Sequence, residues 1–342
     1  DSYGRKYKAD GSLDKTEIQG PVADNADYDS AAVFVQNTIP CLGGKVDVIP
    51  GLRYTFSAAD AGRVLDPLTG GETSVTDDWN ALAGSLRFLV PLAQDRRHVV
   101  FAGVSQGFRA PNLSDLTRLD MARSKEIETP SPDLDPERYV ACEIGLKSRI
   151  ERAVFQFSYY YTVIDGMIVR TPTGRTIDEA IEVTKKNSGD GYIQGVELSG
   201  AYHFSPAFSA WAAVSLMDGQ VDTYPTSDSE LARDYISRLM PPTAEIGLRW
   251  QSADGELWCE AVGNAAAKAD KLSADDRRDT QRIPEGGTPG YAVCLVRAGI
   301  KLTDAMNVSV AVENIFDTDY RVHGSGVNEP GRNITLAADC RF

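Results

Sequence analysis

Nowhere in its 342 residues does the chain carry a run of eighteen or more apolar side chains, which excludes a membrane-crossing helix. It opens on DSYGRKYKAD, without the apolar core of a secretory signal, so the reading begins inside a mature or truncated protein. Cysteine is scarce: Cys41, Cys142, Cys259, Cys294 and Cys340 form an odd set without CxxC spacing, so neither a zinc site nor a disulfide framework is signalled. The histidines His98, His203 and His323 are scattered rather than clustered as metal ligands. No HExxH segment and no convergent Ser–His–Asp set occurs, so no enzyme, metal or cofactor is expected. Cations are outnumbered, 35 Lys and Arg against 49 Asp and Glu, and the net charge of −14 argues against a nucleic-acid partner. Amphipathic helices are missing as well.

Alternation is what the chain has in quantity. In RNITLAADCRF at 332–342, Ile334, Leu336, Ala338, Cys340 and Phe342 share one face, and Thr335, Ala337, Asp339 and Arg341 the other. That period of two belongs to a strand with a dry side and a wet side. Ala244, Ile246, Leu248 and Trp250 likewise oppose Thr243, Glu245, Gly247 and Arg249. Val140, Cys142, Ile144 and Leu146 oppose Ala141, Glu143, Gly145 and Lys147, and Val308, Val310 and Val312 oppose Asn307, Ser309 and Glu313. Weaker strands are expected at 31–39, 46–56, 82–90, 99–107, 153–162, 192–202, 208–217, 257–262 and 292–300. Four of the five cysteines fall on dry faces, where a free thiol acts as a small hydrophobe.

The connections alternate in length. Tight turns are expected at 40–44, 91–96, 148–151, 204–207, 252–255 and 302–305, and long polar loops at 57–77, 108–137, 171–189, 220–238, 269–287 and 317–330. Short inner turns and long outer loops are the plan of bacterial outer-membrane barrels. The expected fold is therefore all-β, one antiparallel up-and-down transmembrane β-barrel unit over 1–342. A hydrophobic content of 42% does not contradict this, because a barrel shows lipid only alternate residues. The acidic outer loops read as solvated tips, with capture of a cationic or metal-bearing ligand the sharper alternative. The strands number about thirteen, whereas single-chain barrels have even counts. Either a strand tail lies at 1–8, or the front of the barrel is missing; the loop-like GPVADNADYDS favours the second reading.

Several stretches resemble the TonB-dependent outer-membrane receptors. The tail is the most specific: Glu313–Asp317 followed by Tyr320–Arg321, Pro330–Asn333 opening the last strand, and terminal Phe342. GFRAP at 107–111, SPDLDPE at 131–137 and YIQGVEL at 192–198 follow the family pattern in order. The resemblance implies a 22-stranded barrel with an N-terminal plug, of which about 13–14 strands, the C-terminal part, and no plug would be present here. It implies energy-coupled uptake of a scarce ligand, a ferric siderophore or similar iron chelate first, with haem, cobalamin or a glycan as further options. It also implies a TonB-type energy-coupling partner, acting through a segment without counterpart here, and an assembly machinery that recognises Phe342.

Candidate ligand contacts lie in the expected outer loops: Arg109, Asn112, Met121 and His323. Arg109 reads either as an anion contact or as a loop-base guanidinium paired with Asp115, Glu137 or Glu143. Met121 reads as packing or as a soft axial ligand. The loop at 112–130 contains no histidine, which weakens haem, and His323 stands in another outer loop. Tyr159, Tyr160 and Tyr161 read as lipid girdle and wall, and the recurring Glu143, Glu197, Glu245 and Glu313 as water-facing positions. Two competing readings remain: a passive channel of about fourteen strands, and a secreted all-β binding module, against which the uncovered apolar face argues.

Overall fold

A computed structural model describes residues 4–123, 125–226 and 230–341. Among them, thirteen strands follow one another as an antiparallel meander: β1 Asp24–Gln36, β2 Val46–Leu65, β3 Glu72–Pro91, β4 His98–Arg109, β5 Glu137–Ile150, β6 Ala153–Ile177, β7 Ala180–His203, β8 Phe208–Thr223, β9 Thr243–Gln251, β10 Leu257–Ala266, β11 Tyr291–Thr303, β12 Met306–Glu313 and β13 Asn333–Cys340. Short strands at Ile39–Cys41, Asp120–Arg123, Glu126–Glu128 and Ala232–Tyr235 complete the sheet. Gly4–Tyr7 and Leu13–Glu17 pair as a separate hairpin, so among the described residues the segment before Asp24 adds no strand to the wall. The last residue, Phe342, lies outside the described residues. Among the described residues registers join β1 to β2 and β13 to β12, and the barrel is not closed.

Register aligns the dry faces of neighbouring strands into one continuous surface. Val308, Val310 and Val312 stand opposite Ala338, Leu336 and Ile334, and Ala212 and Leu198 opposite Ile246 and Val214. Ile144, Ile246 and Leu336 remain more than half exposed, at 52%, 63% and 76%. Large apolar side chains exposed in such a band face hydrocarbon rather than a common core. Aromatic pairs mark its borders: Tyr161 stacks on Tyr192 at 5.6 Å towards the outer loops, and Tyr202 meets Phe204 edge-on at 5.0 Å beside an inner turn.

The wet face has its own packing rule. Gly145, Gly195, Gly247 and Gly299 each stand directly opposite an aromatic residue on the preceding strand, Phe101, Tyr160, Trp211 and Trp258. A Cβ on Gly247 would lie 2.2 Å from Nε1 of Trp211, and one on Gly145 2.3 Å from the Phe101 ring. The rings lie flat over bare backbone, and charges lock them there. Trp211 donates from Nε1 to Glu260 (3.1 Å), Arg297 grips the same carboxylate at 2.6 and 2.7 Å, and Arg249 stacks 4.5 Å over Trp258.

Two expected loops are largely strand. Residues 57–77 continue β2 and begin β3, leaving 66–71 as the link, and 171–189 continue β6 into β7 through Asp178 and Glu179. Both turn residues have positive φ, 48° and 66°, as a two-residue hairpin of twisted strands requires. At 25 and 24 residues, β6 and β7 far exceed the 9–11 that cross a bilayer. The physical reason for the difference is a phase inversion. Beyond Phe56 and Asn80 the buried apolar residues include Ala59, Ala61, Val75 and Trp79, on the inner face, while Asp60, Thr76 and Asp78 face out. Water replaces lipid outside at that height, and a loop core replaces water inside.

Two further departures are local. The strand expected at 31–39 runs from Asp24 to Gln36. Among the described residues two helices of five residues appear where none was expected, α1 Leu113–Thr117 and α2 Ala274–Arg278.

Candidate functional site

The strongest concentration of buried polar chemistry lies at the outer mouth, where residues 110–123 and 125–136 fold back onto the inner wall. Asn112 makes this turn. Its Oδ1 accepts from the amide of Asp115 (2.9 Å), and the Asp115 carboxylate accepts from the amide of Asn112 (3.1 Å). Such a capping box satisfies two donors that a helix start leaves free. Leu116 is fully buried among Trp79, Val75, Ala59, Val64, Leu134 and Ile168, and Trp79 donates from Nε1 to the carbonyl of Leu134 at 3.0 Å.

Arg109 ends β4 opposite Glu137, the first residue of β5, so the GFRAP and SPDLDPE segments meet in register. The guanidinium forks onto Glu137 (2.5 and 2.7 Å) and reaches Asp115 (2.6 Å). Glu137 also accepts from Tyr139 and from the amide of Ile168 at 2.8 Å. From Asp115 the network continues through Lys185 (3.0 Å) to Glu128 (3.2 Å) and Arg118 (3.9 Å). Arg170 lies 3.7 Å from Glu126 and 2.8 Å from Asp275, which ties the β6–β7 hairpin to α2. Glu182 holds Arg175 at 2.6 and 3.0 Å. Asp115, Glu126, Glu128, Glu137 and Glu182 are thus buried anchors, while Arg109, Arg118 and Arg175 keep 40%, 31% and 56% of their side chains exposed.

Asp115, in the loop above the membrane, is pulled two ways: burial disfavours its charge, but the Arg109 hydrogen bond, the Lys185 charge and the Asn112 amide prevail. Its pKa therefore lies below the usual carboxylate range. A depressed folded-state pKa stabilises above the unfolded value, about 4, and that contribution disappears as pH falls through the folded value. Amide-exchange protection of α1 should hold from neutral pH down to about 4 and fall steeply below it. Asp115→Asn should remove that acid step, and a step of equal size in the variant would assign it elsewhere.

The four candidate contacts separate. Arg109 and Asn112 share the mouth network, and neither uses Glu143 among the described residues. Met121, on the short strand Asp120–Arg123, is 54% exposed. His323 belongs to a second cluster, where it is buried and shares a 2.9 Å hydrogen bond between Nδ1 and Oγ1 of Thr288. Its Nε2 has no hydrogen-bond partner among the described residues. Burial, helped by Arg238 and opposed by Asp276, pushes its pKa below the usual histidine value. In the same cluster Asp276 accepts from Ser237 (2.8 Å) and from the amide of Arg238 (3.1 Å).

Lys185, Arg170, Glu126, Glu128 and Asp275 were not singled out by sequence. The run AIEVTKKN at 180–187 does alternate, and a period search blind to polarity would have extended β7 far enough to include Lys185. The tail motif is a clasp. Asn314 donates from Nδ2 to the carbonyls of Thr318 (2.8 Å) and Pro330 (3.2 Å), and Asp317 accepts from the amide of Arg332 (2.8 Å).

Comparison with known proteins agrees with this architecture. The vitamin B12 transporter BtuB of Vibrio vulnificus (strain YJ016) is 25% identical over 251 residues, 70% of this chain and 34% of its own. The pesticin receptor of Yersinia pestis is 24% identical over 291 residues, 83% of this chain and 38% of its own. The chain thus spans between a third and two fifths of the length of these relatives. Among solved structures, the copper transporter OprC superposes with a TM-score of 0.75 at 19% identity, over 99% of this chain and 52% of that one. The ferric yersiniabactin uptake receptor FyuA from Yersinia pestis gives 0.64 at 18%, over 93% and 46%. The family model described as TonB dependent receptor-like, beta-barrel matches residues 1–315, and the chain belongs to that family of outer-membrane receptors.

Proposed function

We propose that the protein takes up a ferric siderophore or a similar anionic iron chelate across the outer membrane, driven by a TonB-type energy-coupling partner. The observation that carries this reading is the mouth network, in which buried carboxylates fix partly exposed guanidinium groups at the rim of a receptor barrel. Guanidinium forks suit the carboxylate, catecholate or phenolate oxygens of such chelates. Arg109, Asn112 and Met121 are the proposed contacts of the mouth, with Arg118 and Arg175 as further guanidinium groups and His323 in the second cluster, beside Thr288. The pesticin receptor among the relatives, and the yersiniabactin receptor among the structures, support the iron-chelate class. Phe342 would serve the assembly machinery.

Deleting the gene should abolish uptake of one radioiron-labelled siderophore from a chemically varied panel, and the full-length gene should restore it. Uptake should stop when the proton-motive force is collapsed; uptake that continues would point to a passive channel. The BtuB relative favours cobalamin as the second reading. A deletion strain that keeps every iron chelate and loses only labelled cobalamin would replace the first reading with it.

A further inference from the structure

On the outside of the wall, at the height of the Tyr161–Tyr192 stack, lies a groove of about 690 Å³. Its floor is the register row Tyr159, Val196 and Leu216 on β6, β7 and β8, all on the lipid-facing side. Its far bank is Pro241 and Pro242, which precede β9, with residues 267–271, which follow β10. The groove exists because β9 reaches only to Thr243, opposite Ser215, and the outer end of β8 pairs with Ala232–Tyr235 from Gln220 onwards, which leaves Leu216–Asp218 between them without a strand neighbour on that side. Its volume falls in the range of ligand clefts, roughly 300–1,000 Å³.

The rim is charged. Lys271 reaches across to Asp218 (2.7 Å) and lies 6.0 Å over the Tyr235 ring. Asp218 and then Asp270 act on Lys271 electrostatically. Lys268, exposed on the same bank, has no hydrogen-bond or ion-pair partner among the described residues. The groove is thus continuous with the surface that meets hydrocarbon, sits where acyl chains give way to headgroups, and carries one unmatched cation at that level.

We propose that it seats one acyl chain of a phosphorylated outer-leaflet lipid, with the headgroup phosphate on Lys268. This inference rests on the membrane orientation and not on the identity of the imported ligand, so uptake assays do not bear on it. The test uses the full-length protein purified in mild detergent, with native mass spectrometry after addition of lipid A, its dephosphorylated form, or inorganic phosphate. One lipid A should stay bound, Lys268→Gln should weaken its retention about fivefold, the effect of one surface cation on an anionic lipid, and the dephosphorylated lipid should be indifferent to that change. Val196→Trp, which fills the floor, should expel both lipids. Lys268→Gln alters an exposed, unpaired side chain and so keeps the test valid if the tryptophan variant does not fold. Equal retention by wild type and Lys268→Gln, or displacement of lipid A by inorganic phosphate at equal concentration, would overturn the assignment.

Discussion

Ile246→Arg should destabilise the folded barrel by about 2 kcal/mol, the lower end of the midplane cost of a cation on a lipid-facing strand position. The residue is 63% exposed, lies between the two aromatic borders, and stands opposite Ala212 and Gly263. None of these offers a partner for a guanidinium. Glu245→Arg, one position earlier, points to the water-facing side opposite Ala213 and Asn264 and should change stability by no more than about 0.5 kcal/mol. Urea unfolding of the full-length protein in lipid vesicles separates the two. Similar losses from both variants would mean that the dry face is not in hydrocarbon.

The second large effect concerns Glu137, whose side chain is 2% exposed and serves Arg109, Tyr139 and the amide of Ile168. Glu137→Leu leaves Arg109 with Asp115 alone and orphans a buried amide. Removing one partner of a buried pair costs about 3–5 kcal/mol, and the 40% exposure of Arg109 brings the expectation to the lower end, about 3 kcal/mol. The loss should be confined to the mouth: amide-exchange protection should fall across 110–136 and the outer half of β6, while the strands between the aromatic borders keep theirs. A uniform loss over the whole wall would show that Glu137 holds the barrel rather than the loop.

Much of this was legible in one sequence because hydrocarbon is an unforgiving environment. Where lipid meets the wall, as at Ile334–Leu336–Ala338 or Ala244–Ile246–Leu248, every second side chain must be apolar, and the strand can be read directly. Above the membrane both faces have other partners. Val75 and Trp79 turn inwards onto Leu116 and Leu134, and a search for outward grease stops at Asn80 although the backbone ladder continues to Glu72. The mouth was half legible for the same reason. Arg109, Asp115 and Glu137 fall in recognisable segments, but Lys185 and Asp275 reach the network only because the long β6–β7 hairpin and α2 converge in space, 70 and 105 residues from the groups they bind. The inner aromatics were missed because a glycine opposite a tryptophan has no signature until the register is known.

The overlong β6–β7 hairpin has a consequence for anything larger than a nutrient. From Ile164 to Ile177 the strand rises roughly 30–35 Å above the aromatic border, at about 3.3 Å per residue and a tilt of about 35–45°, before it reverses at Asp178–Glu179. A phage tail, bacteriocin or antibody approaching the cell would touch that tip well before it reached the headgroups.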